Sequence, residues 1–185
     1  MELKKPSDLK LIMIVAAARN DAGNYRVIGY KGKIPWEDDL RMQEVVKLDR
    51  KRFRTLTLDH PIIMGRVSFE LLPENYKPLP RRTNIVVSKK PKFSIKGFSD
   101  GVIVARNLEE AIKEAYNRTK DKRAFVIGGQ DIYYSFMQHT DEIDITEIHE
   151  FYKGDRLFPK LFKKDWREFF REDHKEYSFV SLKRK

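Results

Sequence analysis

The sequence predicts a single α/β domain: a mostly parallel central sheet flanked by helices on both faces, with an antiparallel C-terminal strand. Three observations carry this. Residues 11–18, 61–64 and 124–127 are short continuous apolar runs, and the strand at 84–88 has Ile85-Val86-Val87 at its centre, the pattern of strands covered on both faces. Segments with apolar residues three or four apart alternate with these runs, as in β-α-β units. The chain of 185 residues contains no internal repeat or low-complexity stretch that would suggest a second core, so residues 1–185 are read as one domain.

Taken in order, residues 1–10 form an N-terminal extension of no recognisable pattern. Residues 11–18 form the central strand, and its small residues Ala16, Ala17 and Ala18 let a ligand approach the backbone. Residues 20–24 are turn chemistry. Residues 27–36 read as a loop with pivots at Gly29 and Gly32 and an apolar Ile34-Pro35-Trp36 tip, a composition suited to a lid. For Trp36 alone, filling the core is the favoured reading. Glu37, Asp38 and Asp39 suit the start of a helix. Met42, Val45, Val46, Asp49, Phe53 and Leu56 share one face of it. That face should be buried, yet it carries a carboxylate, which must be paired, neutralised or used. After the strand at 61–64, residues 67–72 form a short helix ended by Pro73. Residues 77–82 are an exposed proline-punctuated loop, and strands follow at 84–88 and 101–105. Asn107 opens a helix with Glu109 and Glu110 in its first turn. The strand 124–127 breaks at Gly128-Gly129 into a helix that turns Ile132, Tyr133 and Phe136 inward. Residues 143–148 alternate as a half-exposed strand, and residues 177–182 close the chain as an edge strand.

Composition narrows the function. Without cysteine there are no disulfides, thiolate metal sites or cysteine nucleophiles, and four scattered histidines offer no metal cluster, so no metal is expected. No apolar run approaches membrane-spanning length, and the first residues lack the apolar core of a signal peptide, so a cytoplasmic location is expected. The net charge of +10 allows nucleic-acid binding, a merely charged surface, or sites for small anions. The basic residues are spread along the chain and match no nucleic-acid-binding motif, which disfavours the first.

Four features carry chemistry. Gly128-Gly129 at a strand-to-helix turn can meet a phosphate with backbone N–H groups, although it is not the dinucleotide fingerprint and an unliganded tight turn has equal claim. Gly65-Arg66 and Ser88-Lys89 both sit at the C-terminal ends of strands, where α/β sheets bind ligands. Asp49 is the fourth, and a purely local structural role is the competing account.

At these residues the chain resembles dihydrofolate reductase. The match runs from Val15-Ala16-Ala17 through Val27-Ile28-Gly29 and Ile34-Pro35-Trp36, then Asp49 and Phe53. It continues with residues 61–66, 78–84, Val126-Ile127-Gly128-Gly129, Tyr133, Thr146 and residues 154–159. Any one piece is unspecific; their order and spacing are not. The resemblance implies a dihydrofolate-reductase-like fold and NADPH-dependent reduction of 7,8-dihydrofolate to tetrahydrofolate, by hydride transfer to C6 with protonation at N5. It assigns catalytic positions to Asp49, which would bind the pterin's N3 and 2-amino group, and to Thr146, Trp36 and Tyr133. Substrate contacts would come from Val15, Ala16, Phe53, Leu72, Leu79, Ile127 and Arg82, the last holding the glutamate carboxylate. Cofactor contacts would come from Ala17, Ile28, Gly29, Gly65, Arg66, Val67, Ser68, Ser88, Lys89 and Arg106, with Gly128, Gly129, Gln130, Asp131 and Ile132 at the pyrophosphate. A cis peptide joins the two glycines in the family. Residues 29–36 would be the lid and Asp155 its remote partner. Antifolates such as methotrexate should bind, and a monomer is expected, with neither nucleic acid nor membrane as a partner.

The chain departs from the family in three places, one being the Asp21-Ala22-Gly23-Asn24 insertion, which lengthens the approach to the lid. Residues 37–48 are longer than usual ahead of the acid, leaving Asp39 and Asp49 as candidates. Asp49 keeps the ungapped spacing to Phe53 and to residues 61–66, and is preferred. Asp131 stands where many members carry a cation, and Arg106 is the candidate to compensate. A sister reductase acting on another pterin or on a riboflavin precursor is the alternative, and Arg82 and Phe53 argue against it. A binding module that has lost catalysis is a further one.

Overall fold

The computed structural model describes residues 5–90, 93 and 101–185. In chain order the strands and α-helices are β1 (Lys10–Arg19), β2 (Tyr25–Gly29), α1 (Gln43–Thr57), β3 (Pro61–Gly65), α2 (Arg66–Glu70), β4 (Thr83–Val87), β5 (Val102–Ala105), α3 (Leu108–Arg118), β6 (Arg123–Gly128) and α4 (Gln130–Phe136). The series ends with β7 (Glu142–Phe151), β8 (Arg156–Leu157), β9 (Trp166–Asp173) and β10 (Tyr177–Arg184). The chain divides into two compact units, one of Met1–Ile12 and Thr57–His139, the other of Met13–Leu56 and Thr140–Lys185.

The first unit holds the parallel strands in the order β5-β4-β3-β6. Ile62, Ile63, Ile85, Val86, Phe125 and Val126 are all buried, as the continuous apolar runs require. α3 turns Ala111, Ile112 and Ala115 inward, and its start is capped as the sequence indicates: the Asn107 side chain accepts from the Glu110 N–H at 2.8 Å. The pairings Gly65↔Val87, Val87↔Ala105 and Met64↔Gly128 bring the C-terminal ends of all four strands to one level.

The second unit holds β1-β7-β10-β9 in order, with β2 paired to β1 and to β8. Here the β7–β10, β10–β9, β1–β2 and β2–β8 pairings are antiparallel. α1 and the segment before it bury Met42 and Val45 with Trp36, Ala18, Val27, Ile148 and Tyr177. Gly154 is required by close packing. A Cβ there would overlap the Val27 side chain and reach within 3.1 Å of the Gly29 carbonyl oxygen.

Three expectations are corrected. Residues 27–29 belong to strand β2, because pairing with both β1 and β8 overrides the loop-like glycines. The helix begins six residues after Glu37: residues 37–39 turn, Leu40–Met42 form a 3-10 turn, and α1 opens at Gln43. The strand expected at the edge, β10, is interior, because β9 pairs along its other side. β9 escaped notice because the sequence Trp166–Asp173 has no apolar run and no clean alternation.

Candidate active site

In the second unit, Asp49 meets Thr146. Period 3.6 on α1 brings Asp49 to the face that packs on β7, and period 2 on β7 gives Thr146 and Asp144 the same face. The Thr146 hydroxyl donates to Asp49 Oδ1 at 2.7 Å. One turn on, Arg52 pairs with Asp144 at 2.9 Å and lies over the Phe179 ring at 4.7 Å, while the Ser181 hydroxyl also donates to Asp144. Burial of the carboxyl pushes the Asp49 pKa up; the Thr146 hydrogen bond and the charges of Arg52 and Arg50 oppose this without cancelling it. Both arginines form their ion pairs elsewhere, Arg52 with Asp144 and Arg50 with Glu37. The alternation in residues 143–148 carried the signal for Asp144, which faces the same way as Thr146.

Asp39 has the opposite environment. Its carboxylate accepts from Arg41 Nη2 at 2.8 Å, from the Arg41 N–H at 3.0 Å and from the Tyr152 hydroxyl at 2.7 Å. These bonds hold its pKa well below the usual carboxylate range. It also caps the 3-10 turn, so its bonding capacity is spent on structure. Gln43 Nε2 donates to the Glu37 carbonyl at 2.9 Å, and Trp36 packs against Tyr152. The added residues ahead of Asp49 are thereby tied down. The sequence offered no signal for Tyr152 as their anchor.

Around them, Val15 and Ala17 are buried on β1 with Ala16 half-buried, Ile28 lies on β2, and Phe53 is half-buried on α1. Trp36 is buried, as its core reading requires. Asp155 contacts the 29–36 segment: its N–H donates to the Gly29 carbonyl at 3.0 Å and its Oδ2 accepts from the Lys31 N–H at 3.1 Å.

In the first unit, the level C-terminal strand ends carry the other candidates. Gly65 leads to Arg66, Val67 and Ser68; Val87 leads to Ser88 and Lys89; Ala105 leads to Arg106; β6 ends at Gly128-Gly129. Arg66 pairs with Glu70, and Lys89 is exposed. Ser88 is buried and accepts from the Lys90 N–H at 3.3 Å. Arg106 donates to the Lys90 carbonyl at 3.1 Å. The Gly128-Gly129 peptide is cis. Gly128 has φ +100°, and a Cβ there would sit 2.7 Å from the buried Tyr133 ring, so only glycine fits. Gln130, Asp131 and Ile132 form the first turn of α4, with Ile132 buried and Asp131 exposed; Ile127 precedes the glycines. Leu72 and Leu79 are half-buried. Arg82 is oriented by two donated bonds, Nε to Thr57 Oγ1 and Nη1 to the Pro80 carbonyl, both at 2.8 Å. Among the described residues, no group of three or more His, Cys, Asp or Glu could hold a metal, and no helix is long and apolar enough to cross a membrane.

The family model for dihydrofolate reductase matches residues 10–184. The chain is 32% identical over 162 residues to the dihydrofolate reductase of Heliothis virescens, covering 86% of this chain and 84% of the relative. It is 31% identical over 164 residues to dihydrofolate reductase type 3 of Salmonella typhimurium, covering 89% and 88%. With dihydrofolate reductase HdrB of Haloferax volcanii it shares 26% identity over 188 residues, covering 100% and 88%.

Proposed function

This chain belongs to the dihydrofolate reductase family, and from that premise we propose that it reduces 7,8-dihydrofolate to tetrahydrofolate with NADPH as reductant. The observation that carries the reading is the carboxyl of Asp49, raised in pKa by burial, oriented by Thr146 and ion-paired by neither neighbouring arginine. A group in that state can accept two donors from a flat heterocycle and can hold a proton at higher pH than a solvated acid. Asp49 takes the pterin's N3 and 2-amino group through its two oxygens. Thr146 is a positioning residue that fixes the carboxyl plane. Protonation at N5 proceeds through water, with Asp49 polarising the ring. By the family resemblance, Trp36, Val15 and Ala16 of the second unit contact the pterin; within the first unit, Ile127 has the same assignment and Tyr133 packs against Gly128. By the family resemblance, the aryl ring is assigned to Phe53 in the second unit and to Leu72 and Leu79 in the first, where Arg82, already oriented by Thr57 and Pro80, presents its fork to the glutamate carboxylate.

The residues fit the cofactor. Three cations, Arg66, Lys89 and Arg106, follow the ends of three adjacent parallel strands, and a glycine pair follows the fourth. Cationic groups and a glycine turn into a helix at one level suit a dinucleotide pyrophosphate bearing a further 2′-phosphate. Gly128, Gly129, Gln130, Asp131 and Ile132 receive the pyrophosphate. Arg66, Val67, Ser68 and Lys89 face the adenosine end, with Ser88 shaping their turn. By the family resemblance, the nicotinamide is assigned to Ala17, Ile28 and Gly29 in the second unit and to Gly65 in the first. When bound, the cofactor supplies the hydride that reaches C6.

The test is loss of reduced-nicotinamide absorbance when dihydrofolate is added to purified chain and NADPH. Turnover is expected, with much lower efficiency on a dihydropterin lacking the aryl-glutamate tail. Folded protein that shows no turnover would contradict the reading, and equal efficiency on both substrates would favour a sister reductase.

A further inference from the structure

Strand β9 ends the order of the second unit and is exposed along nearly its whole length, with Phe169 53% and Phe170 42% accessible at its centre. An open edge of this kind is a template for another strand. Its sequence, Arg167-Glu168-Phe169-Phe170-Arg171-Glu172, reverses its charges about the two phenylalanines. Laid antiparallel on a second copy about a two-fold axis between them, Arg167 meets Glu172, Glu168 meets Arg171 and Phe169 meets Phe170, each pair formed twice.

Whether backbone groups can follow that register depends on a bulge. β10 pairs Ser181 with Phe170 and Leu182 with Glu168, so Phe169 is skipped. The bond from the His174 N–H to the Tyr177 carbonyl closes the hairpin. By alternation from it, Phe170 and Glu172 direct their backbone groups to β10, while Arg171 and Asp173 turn theirs outward. Beyond the skipped residue the parity changes, and Glu168 and Trp166 turn outward instead. The Lys185 N–H donating to the Asp165 carbonyl agrees with that phase. Without the bulge, Glu168 and Arg171 would face opposite ways and the charge-matched register could not bond. With it, outward groups of one copy meet outward groups of the other.

We infer that β9 is a self-complementary edge through which two copies of this chain join their sheets as an isologous dimer. Charges on an edge ordinarily deter pairing. Here they repel foreign strands and mismatched registers while matching a second copy. Arg171 is held in place beforehand by Glu147 and Glu168 of its own chain, both within 3.0 Å. This reading differs from the monomer expected from the sequence and is independent of the catalytic assignment.

Sedimentation velocity of the full chain over a concentration series tests it, with melting temperature as the check on folding. Arg167 and Glu172 are exposed, so their exchange leaves the core intact. The native chain should dimerise reversibly. R167E and E172R should each weaken the dimer by about tenfold or more, and R167E/E172R should recover most of the loss. E172R reads the same pair from the other side should R167E fold poorly. A chain monomeric at every concentration overturns the inference. So do single variants that leave the dimer unchanged, or a folded double variant that does not recover.

Discussion

The two aspartates ahead of Phe53 differ in what surrounds them. Both are half-buried, but Asp39 spends its oxygens on Arg41 and Tyr152, while Asp49 is bonded by one hydroxyl and desolvated at its carboxyl. Their pKa values therefore move in opposite directions. For Asp49 the sign follows directly. A carboxyl whose folded pKa is raised binds its proton more tightly when folded, so stability falls as pH rises from the unfolded pKa to the folded one, and the full cost is present above both. Asp49→Asn removes that cost and keeps an acceptor for Thr146. Its melting temperature should exceed the native one at neutral pH, with the gain vanishing toward acid. A variant less stable than native at neutral pH would show that the carboxylate is structurally compensated. Thr146→Val removes the one hydrogen bond that lowers the Asp49 pKa. The acidic limb of the pH–rate profile should move to higher pH and return with Thr146→Ser; an unmoved limb would remove Thr146 from its positioning role. The preference for Asp49 over Asp39 rests on the family's spacing, in which Phe53 and residues 61–66 follow the acid without a gap. The partners of Asp39 were not legible, since Tyr152 lies more than a hundred residues away with no pattern linking them.

At the scale of elements, what the sequence revealed depended on periodicity. Strands buried on both faces declared themselves as apolar runs, and α3 declared its own cap. β2 and β9 did not, because their strand character comes from neighbours: β2 is fixed by pairing on both sides, and β9 by a hairpin with β10. The turn after β6 is where local sequence and site geometry agree most tightly. Gly128→Ala would place a methyl against Tyr133 in a left-handed backbone. It should cost about 1–3 kcal/mol in denaturant unfolding and raise KM for NADPH. An alanine variant with native stability and cofactor affinity would mean the Tyr133 ring can move aside.

For the whole molecule, the surplus of positive charge was visible in composition but its placement was not. Three of the cations fall at the C-terminal ends of adjacent parallel strands, which only the sheet order reveals. If they read a 2′-phosphate, the double variant R66Q/K89Q should lose about tenfold or more of the NADPH-over-NADH ratio in kcat/KM, on the order of one charge-assisted contact. An unchanged ratio would assign the preference to other residues. The central claim is that the acid beneath the pterin is Asp49, despite the longer approach from Trp36. Single-turnover hydride transfer in Asp49→Asn and Asp39→Asn, both verified as folded, tests it most directly. A loss of about 10²–10⁴-fold near neutral pH is expected for the first and little change for the second. The reverse result would contradict it.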